Sequence, residues 1–309
     1  MPELPEVETI VRRLRADLIG RKIESADLLW ERTLVTPKPA HFIKDIIGQT
    51  IDSVKRRAKY IVLTLSVDTL IIHLRMSGDI LIREDTVPIH KHDRLILHLS
   101  HQKLFPPSSA GNDSEENRRR GRRLEQGEER KTSADRKKIY LAFSNMRKFG
   151  RVWLTLNPED VLGKLGPEPL DDDFTAEMLY KRLQKLKRQI KPLLLDQSFL
   201  AGMGNIYTDE ALHLADLHPL YKSDLIRRKQ AQILWRSIRK VLEEGIRRNG
   251  TSIDWIYRGG DFQNYLQVYG RKDEPCFECG TPIQKMMVGQ RGTHFCPQCQ
   301  KEKEPANGI

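Results

Sequence analysis

Pro2 and Glu3, in the opening stretch Met1-Pro2-Glu3-Leu4-Pro5-Glu6-Val7-Glu8, are residue types that could run amine chemistry. Removal of Met1, which a small second residue permits, would leave proline's secondary amine at the chain start. An α-amino group titrates at about pH 7.7–8.0, whereas a lysine titrates at about 10.4. A useful fraction of the former is therefore unprotonated at neutral pH. It can attack a carbonyl or sugar carbon and form a Schiff base. Glu3 beside it could move protons. The same residues also suit an ordinary helix start, since proline fits the first turn and acids complement the positive end of the dipole.

Four cysteines make the second chemical cluster. Cys276-x2-Cys279 and Cys296-x2-Cys299 are separated by sixteen residues, a spacing suited to a tetrathiolate zinc site. Four ligands leave no open position, so one Zn²⁺ here is structural. Their thiolates with the metal add −2, so the formal charge of +11 falls to about +9 and stays basic. Arg291 lies between the pairs, at the tip of a hairpin suited to phosphate contact. Clustering of every cysteine in one short stretch argues against a secreted disulfide framework.

Other candidates are more ambiguous by themselves. Lys59 closes the basic run Lys55-Arg56-Arg57-Ala58-Lys59, either a solvated phosphate-facing patch or one lysine delivered to a pocket. Met76 follows a strand at a turn, where it could fill the core or enter a base stack. Asn145-Met146-Arg147-Lys148-Phe149-Gly150 joins two cations and a ring before a glycine, a set for filling a gap in a duplex or simply a turn. Asn205 follows the double-glycine turn Ala201-Gly202-Met203-Gly204. The amides there suit an anion, and Asn205 could cap the next helix or hold a phosphate.

The elements that must position these residues show in the apolar pattern. Ile10, Val11, Leu14 and Leu18 recur at helical spacing, so the octet runs into a helix that anchors it. From Lys22 to Leu104 the pattern becomes strands, including the hairpin Tyr60 to Leu74 and Leu95 to Leu99. Ile139 to Phe143 and Val152 to Leu156 add two more, giving a two-sheet sandwich with the helix packed on it. Pro106 to Lys138 has ten Lys or Arg, seven Asp or Glu, one leucine and no aromatic. It reads as a disordered charged insertion in a hairpin loop. The Pro- and Gly-rich stretch 157–173 reads as a linker. Helices follow at 175–186, 190–197 and 206–215, with a long basic one at 224–248. The expected divisions are 1–156, 174–266, 267–303 and a tail 304–309. At 309 residues and +11, two domains and an anionic partner are expected, nucleic acid first. No signal peptide and no apolar run of about 18 residues is present. A monomer of the bacterial cytoplasm, associated with the nucleoid and with no membrane, is expected.

Taken in order, these motifs resemble bacterial formamidopyrimidine-DNA glycosylase. The matching runs are the octet, Arg56-Arg57-Ala58-Lys59-Tyr60, His73-Leu74-Arg75-Met76-Ser77-Gly78 and Arg147-Lys148-Phe149-Gly150. Asp196-Gln197 through Gly204-Asn205-Ile206-Tyr207, Val268-Tyr269-Gly270-Arg271 and the four-cysteine finger continue it. Leu4 is closer to this branch than to endonuclease VIII, which usually has glycine there. The resemblance implies an α+β multidomain fold: an N-terminal β-sandwich, a helix–two-turn–helix domain and a zinc finger. It implies base-excision repair of double-stranded damaged DNA, removing oxidised purines by a Schiff base on Pro2 and nicking by β,δ-elimination. Glu3 would be proton donor and acceptor, Lys59 would assist, and Glu6 would support them. Met76, Arg147 and Phe149 would fill the gap left by the extruded base. His73, Lys59, Asn205 and Arg291 would hold phosphates. Thr251, Ser252 and Ile253 would begin the lesion-covering loop.

Two features depart from the family's pattern. One is the charged insertion. The other is the stretch Asp254 to Asp261, shorter than the family's loop, which weakens the case for 8-oxoguanine and leaves formamidopyrimidines or oxidised pyrimidines open. The rival readings are an endonuclease VIII-like enzyme and a non-catalytic zinc-ribbon DNA-binding protein.

Overall fold

A computed structural model describes residues 1–100, 138–252 and 259–302. The expected insertion therefore lies outside the described residues, apart from Lys138. So do Ile253 and the tail after Glu302.

The first helix, α1 (Leu4–Leu18), begins six residues before Ile10, where the apolar spacing starts. Pro5 occupies its first turn, where the missing N–H costs nothing. The Glu3 amide donates to Glu6 Oε2 at 2.8 Å, closing that turn. Gly20, at φ +82, ends the run. The helix serves two cores. Val7, Ile10, Val11, Leu14 and Leu18 are buried among the strands, while Leu4 is buried in a separate helical core. Each such side chain contributes roughly 1.5–3 kcal/mol. The amine end of the chain is thereby pinned at the seam between the two bodies.

The strands are β1 (Ile23–Asp27), β2 (Leu34–Thr36), β3 (Ile51–Arg57), β4 (Tyr60–Leu65), β5 (Thr69–His73), β6 (Gly78–Glu84), β7 (Asp93–Leu99), β8 (Ile139–Asn145) and β9 (Arg151–Thr155). They form two sheets, β1-β7-β8-β6 and β2-β9-β5-β4-β3. Their inner faces share one core with α1, which makes the sandwich. The 22–104 stretch is not all strand, as the pattern suggested. It contains a helix, α2 (Pro39–Ile46), whose short apolar face holds only Phe42 and Ile46 in the core. Leu99 pairs with Ile139, so the charged insertion joins the adjacent ends of β7 and β8.

Residues 157–173 are packed against the sandwich. They contain α3 (Glu159–Leu162) and the buried Glu168. Glu168 takes Arg56 at 2.7 Å and Arg57 at 3.0 Å, together with the Ala58 amide. Arg56 also reaches Glu8 at 3.0 Å. The arginines of the basic run thus face protein carboxylates, and the solvated-patch reading of them fails.

The helical body comprises α4 (Ala176–Gln184), α5 (Ile190–Leu195), α6 (Asn205–Leu214) and the long α7 (Arg228–Arg247). Asn249 and Gly250, at φ +57 and +77, turn the chain after α7. The last two strands, β10 (Gln284–Val288) and β11 (Arg291–Phe295), form the finger's hairpin. The finger is clasped to α6. Asp209 accepts Lys191 Nζ at 2.5 Å and the His294 amide at 2.9 Å. Glu210 accepts the amides of Gln267, Val268 and Tyr269. The Lys191–Asp209 pair is completely buried. Removing either partner of such a pair costs about 3–5 kcal/mol. No helix among the described residues is long and apolar enough to cross a membrane.

Candidate active site

The sandwich, the helical body and the finger meet at a cleft of about 670 Å³. Glu3, Lys59 and His73 line it from the sandwich side, Asn205 from α6 and Arg291 from the finger. Met76 and Phe149 stand at its edge, 44% and 54% exposed. Single motifs could not separate a wedge from core packing for Met76, or from a simple turn for Phe149. Their exposure beside the cleft favours the wedge. Arg147 is tied to the same group, its guanidinium 3.8 Å from Met76 Sδ and its amide donating to Ser77 Oγ at 3.1 Å.

Glu3 is nearly fully buried. Its Oε1 accepts the Ile206 amide at 3.0 Å and Oε2 faces the Tyr207 amide at 3.4 Å. The anion at the start of α6 is therefore the protein's own carboxylate. Burial pushes the Glu3 carboxyl up to about 7, and Glu6 adds to this, while Lys59, the Ile206 amide and the chain's amine pull it down. A carboxyl poised there can both give and take a proton at neutral pH. Burial also holds the Lys59 ammonium below its usual range, with Arg291 adding and Glu3 and Glu6 opposing.

Gly204 shows how tightly Glu3 is seated. A Cβ at that position would lie 2.1 Å from the Glu3 carboxyl carbon. The Gly204 backbone, at φ −133, is open to any residue, so the clash alone matters. Gly204→Ala is expected to displace Glu3 and cut single-turnover excision by about a hundredfold. Its thermal midpoint should change little. Wild-type turnover in this variant would show that Glu3 placement does not matter.

Glu6 lies behind Glu3 with four donors on it. Oε1 takes Tyr207 Oη at 2.7 Å, the Thr251 amide at 2.8 Å and Thr251 Oγ1 at 3.2 Å, and Oε2 takes the Glu3 amide. It joins the catalytic end of α1 to α6 and to the root of the 251–260 loop. Ser252 donates to Gln263 Oε1 and exchanges bonds with Gly260. Thr251 and Ser252 are not among the described residues that line the cleft, and Ile253 is outside the described residues.

His73 Nδ1 accepts the Arg75 amide at 2.9 Å, which places the proton of the neutral ring on Nε2. Burial, with Arg75 and Lys59 nearby, holds the ring down to about 3, so it stays a neutral donor. Asn205 does not cap α6. Gly204 is the cap position, and Asn205 Nδ2 donates to the Gly292 carbonyl at 2.9 Å. Its Oδ1 is buried with no partner among the described residues.

Pro2 is buried, and Met1 lines the cleft. Arg75, Arg151, Gln197 and Tyr269 also line it. Arg75, Gln197 and Tyr269 stand in the sequence motifs with no role assigned there, and Arg151 stands in none of them. Its signal is weak, a cation directly after the Phe149-Gly150 turn.

The four cysteine sulfurs lie within 4.8 Å of one another, with Cys279 to Cys296 and Cys279 to Cys299 at 3.5 Å and Cys276 to Cys299 at 4.0 Å. A tetrahedral Zn²⁺ with about 2.3 Å bonds needs sulfurs about 3.8 Å apart. The set fits one structural zinc. Cys296→Ser is expected to weaken binding of damaged duplex at least about tenfold, measured by fluorescence anisotropy. The sandwich should keep its unfolding transition. Collapse of the whole chain would contradict a separable finger.

Comparison with known proteins agrees along the whole chain. The family model described as formamidopyrimidine-DNA glycosylase N-terminal domain matches residues 1–152, and the one described as its H2TH domain matches 165–256. A zinc finger found in FPG and IleRS matches 273–301. The formamidopyrimidine-DNA glycosylase of Protochlamydia amoebophila is 39% identical over 98% of this chain and 100% of its own length. That of Bacillus licheniformis is 37% identical with the same coverage. Lactococcus lactis Fpg in complex with abasic-site DNA superposes with a TM-score of 0.81 at 33% identity, covering 97% of this chain and 100% of that one. Its complex with Fapy-dG DNA gives 0.80 at 34%, with the same coverage. With all three family regions in order, full-length relatives above 30% identity and the cleft assembled from each region, the chain belongs to the formamidopyrimidine-DNA glycosylase family.

Proposed function

We propose that this protein is a base-excision-repair glycosylase that removes oxidised purines from double-stranded DNA and cuts the strand at the abasic site. The observation that carries this reading is the buried Glu3 carboxyl, poised at about 7, beside the chain's amine and Lys59 in one cleft. Relatives solved with DNA carrying Fapy-dG, an abasic site or carbocyclic 8-oxo-G support the substrate class.

The damaged nucleotide is extruded, which costs a few kcal/mol and less for a poorly paired base. Met76, Arg147 and Phe149 replace it in the stack. With Met1 removed, the Pro2 nitrogen attacks C1′. The bond from C1′ to the base breaks, and the base leaves with a proton from Glu3. Sugar ring opening gives an iminium between Pro2 and C1′. That electron sink acidifies the C2′–H bond, so the 3′ phosphate leaves by β-elimination. The 5′ phosphate follows by δ-elimination, and hydrolysis frees Pro2. Glu3 and Lys59 are the groups placed to carry these protons. His73 Nε2, Asn205 Nδ2 and Arg291 offer donors to backbone phosphates.

Zinc has no part in these steps and only holds the finger that carries Arg291. One chain supplies every group named, so the protein acts as a monomer. Its setting is the bacterial cytoplasm, on nucleoid DNA. Borohydride reduction on abasic duplex is the test. A covalent protein–DNA adduct through the N-terminal residue is expected from the trimmed protein, and its absence would leave only a metal-stapled DNA binder.

A further inference from the structure

The turn that carries Arg147 and Phe149 is rooted on a segment to which the chemistry above gives no task. Asn145 and Gly150, its stems, are buried, while residues 146–149 are exposed. Lys148 adopts φ +60, a left-handed conformation that costs an ordinary residue about 1 kcal/mol or more unless its surroundings fix it. Its ammonium lies 3.8 Å from the centroid of the Trp30 ring. The Arg32 guanidinium is 5.8 Å from the same ring. Trp30 is half-buried, and its Nε1 has no hydrogen-bond partner among the described residues. The indole therefore works there through its face.

The backbone around Trp30 holds the stems of the same turn. Leu29 and Trp30 amides donate to the Arg94 carbonyl at 3.0 and 3.2 Å. Arg94 Nε donates to the Asn145 carbonyl at 2.9 Å, and Thr33 Oγ1 donates to the Gly150 carbonyl at 3.0 Å. Asn145 Nδ2 reaches the Leu74 carbonyl at 3.0 Å, next to the Met76 turn. Residues 29–33 thus brace both stems through hydrogen bonds and the tip through a cation–π contact.

We infer that Trp30 is a positioning residue for the wedge: its indole face takes Lys148 and fixes the turn so that Arg147 and Phe149 are presented to the gap in the duplex. This deepens the reading above and rests on it, because it takes the turn to enter damaged DNA. The plain alternative makes Lys148 a phosphate contact and Trp30 mere filling.

A duplex with a tetrahydrofuran abasic analogue beside 2-aminopurine reports wedge insertion. Lys148→Met and Trp30→Leu should each lower affinity for this duplex about fivefold, the size of one partly buried cation–π contact. They should also reduce the 2-aminopurine signal, with undamaged duplex bound as before. The double variant should be no worse than either single one. Trp30→Phe, which keeps an aromatic face, should recover most of the loss. In free protein, Lys148→Met should alter tryptophan emission, and not in a Trp30→Phe background. Multiplying losses, equal losses on undamaged duplex or unaltered emission would each overturn the inference. If Trp30→Leu destabilises the fold, the exposed Lys148 still carries the test. If wild-type protein itself gives no insertion signal, the functional reading fails and this inference with it.

Discussion

Protein that retains Met1 is expected to give no reducible adduct with abasic DNA, while the same preparation trimmed to Pro2 gives one. With Met1 present the Pro2 nitrogen is a tertiary amide whose lone pair is delocalised, so it cannot attack C1′. The Met1 amine is a poor substitute, because it lies one residue further along, about 3.8 Å by backbone spacing. Chemistry of this kind loses orders of magnitude over shifts of about 1 Å. Loss of the nucleophile should therefore lower strand cleavage on the order of a thousandfold or more. An uncleaved N-terminal tag should act like Met1. Pro2→Gly should keep part of the trapping, since a correctly placed amine remains. Full activity of the tagged protein, measured by gel after borohydride reduction, would remove Pro2 from the mechanism.

Glu3→Gln is the second large effect. Gln is close in shape and can still meet the Ile206 amide, but it holds no transferable proton. Base excision should fall on the order of 10²–10⁴-fold. Adduct formation at a preformed abasic site should fall less, because no base must leave there. The pH profile gives the sign. As donor, Glu3 must be protonated, so excision by wild-type protein should decline as pH rises through about 7. The amine must be unprotonated, so its contribution runs the other way, increasing toward about pH 8. Glu3→Gln should erase the alkaline decline of the residual rate and keep the acid one. A residual profile identical in shape to wild type would assign that limb to another group.

Much of this site could be read from residue order, and the reasons are local. Leu14 and Leu18 repeat at helical spacing because one face of α1 is buried, so the anchoring of Pro2 was legible. The cysteines were legible because four ligands on two short turns impose their own spacing. By contrast, α2 was hidden in the strand-rich stretch, since eight residues with two buried apolar side chains give little periodicity. Glu168 and Asp209 were invisible because their partners are far along the chain: Arg56 lies 112 residues from Glu168, and His294 lies 85 from Asp209. Of the two readings open for Asn205, the cap failed for a related reason. The amides it would have capped are taken by Glu3, about two hundred residues earlier, and no local pattern can announce that.

Within α6, the amides of Ile206 and Tyr207 seat Glu3, and three residues on, Asp209 and Glu210 grip the finger. One short rod therefore carries the proton carrier at its head and the metal module at its waist. On the proposed reading, a bent duplex pushing on Arg291 would load that rod. On the same reading zinc, without meeting the substrate, would steady the aim of that carboxyl, and a worn finger would blur the chemistry before it loosened the fold.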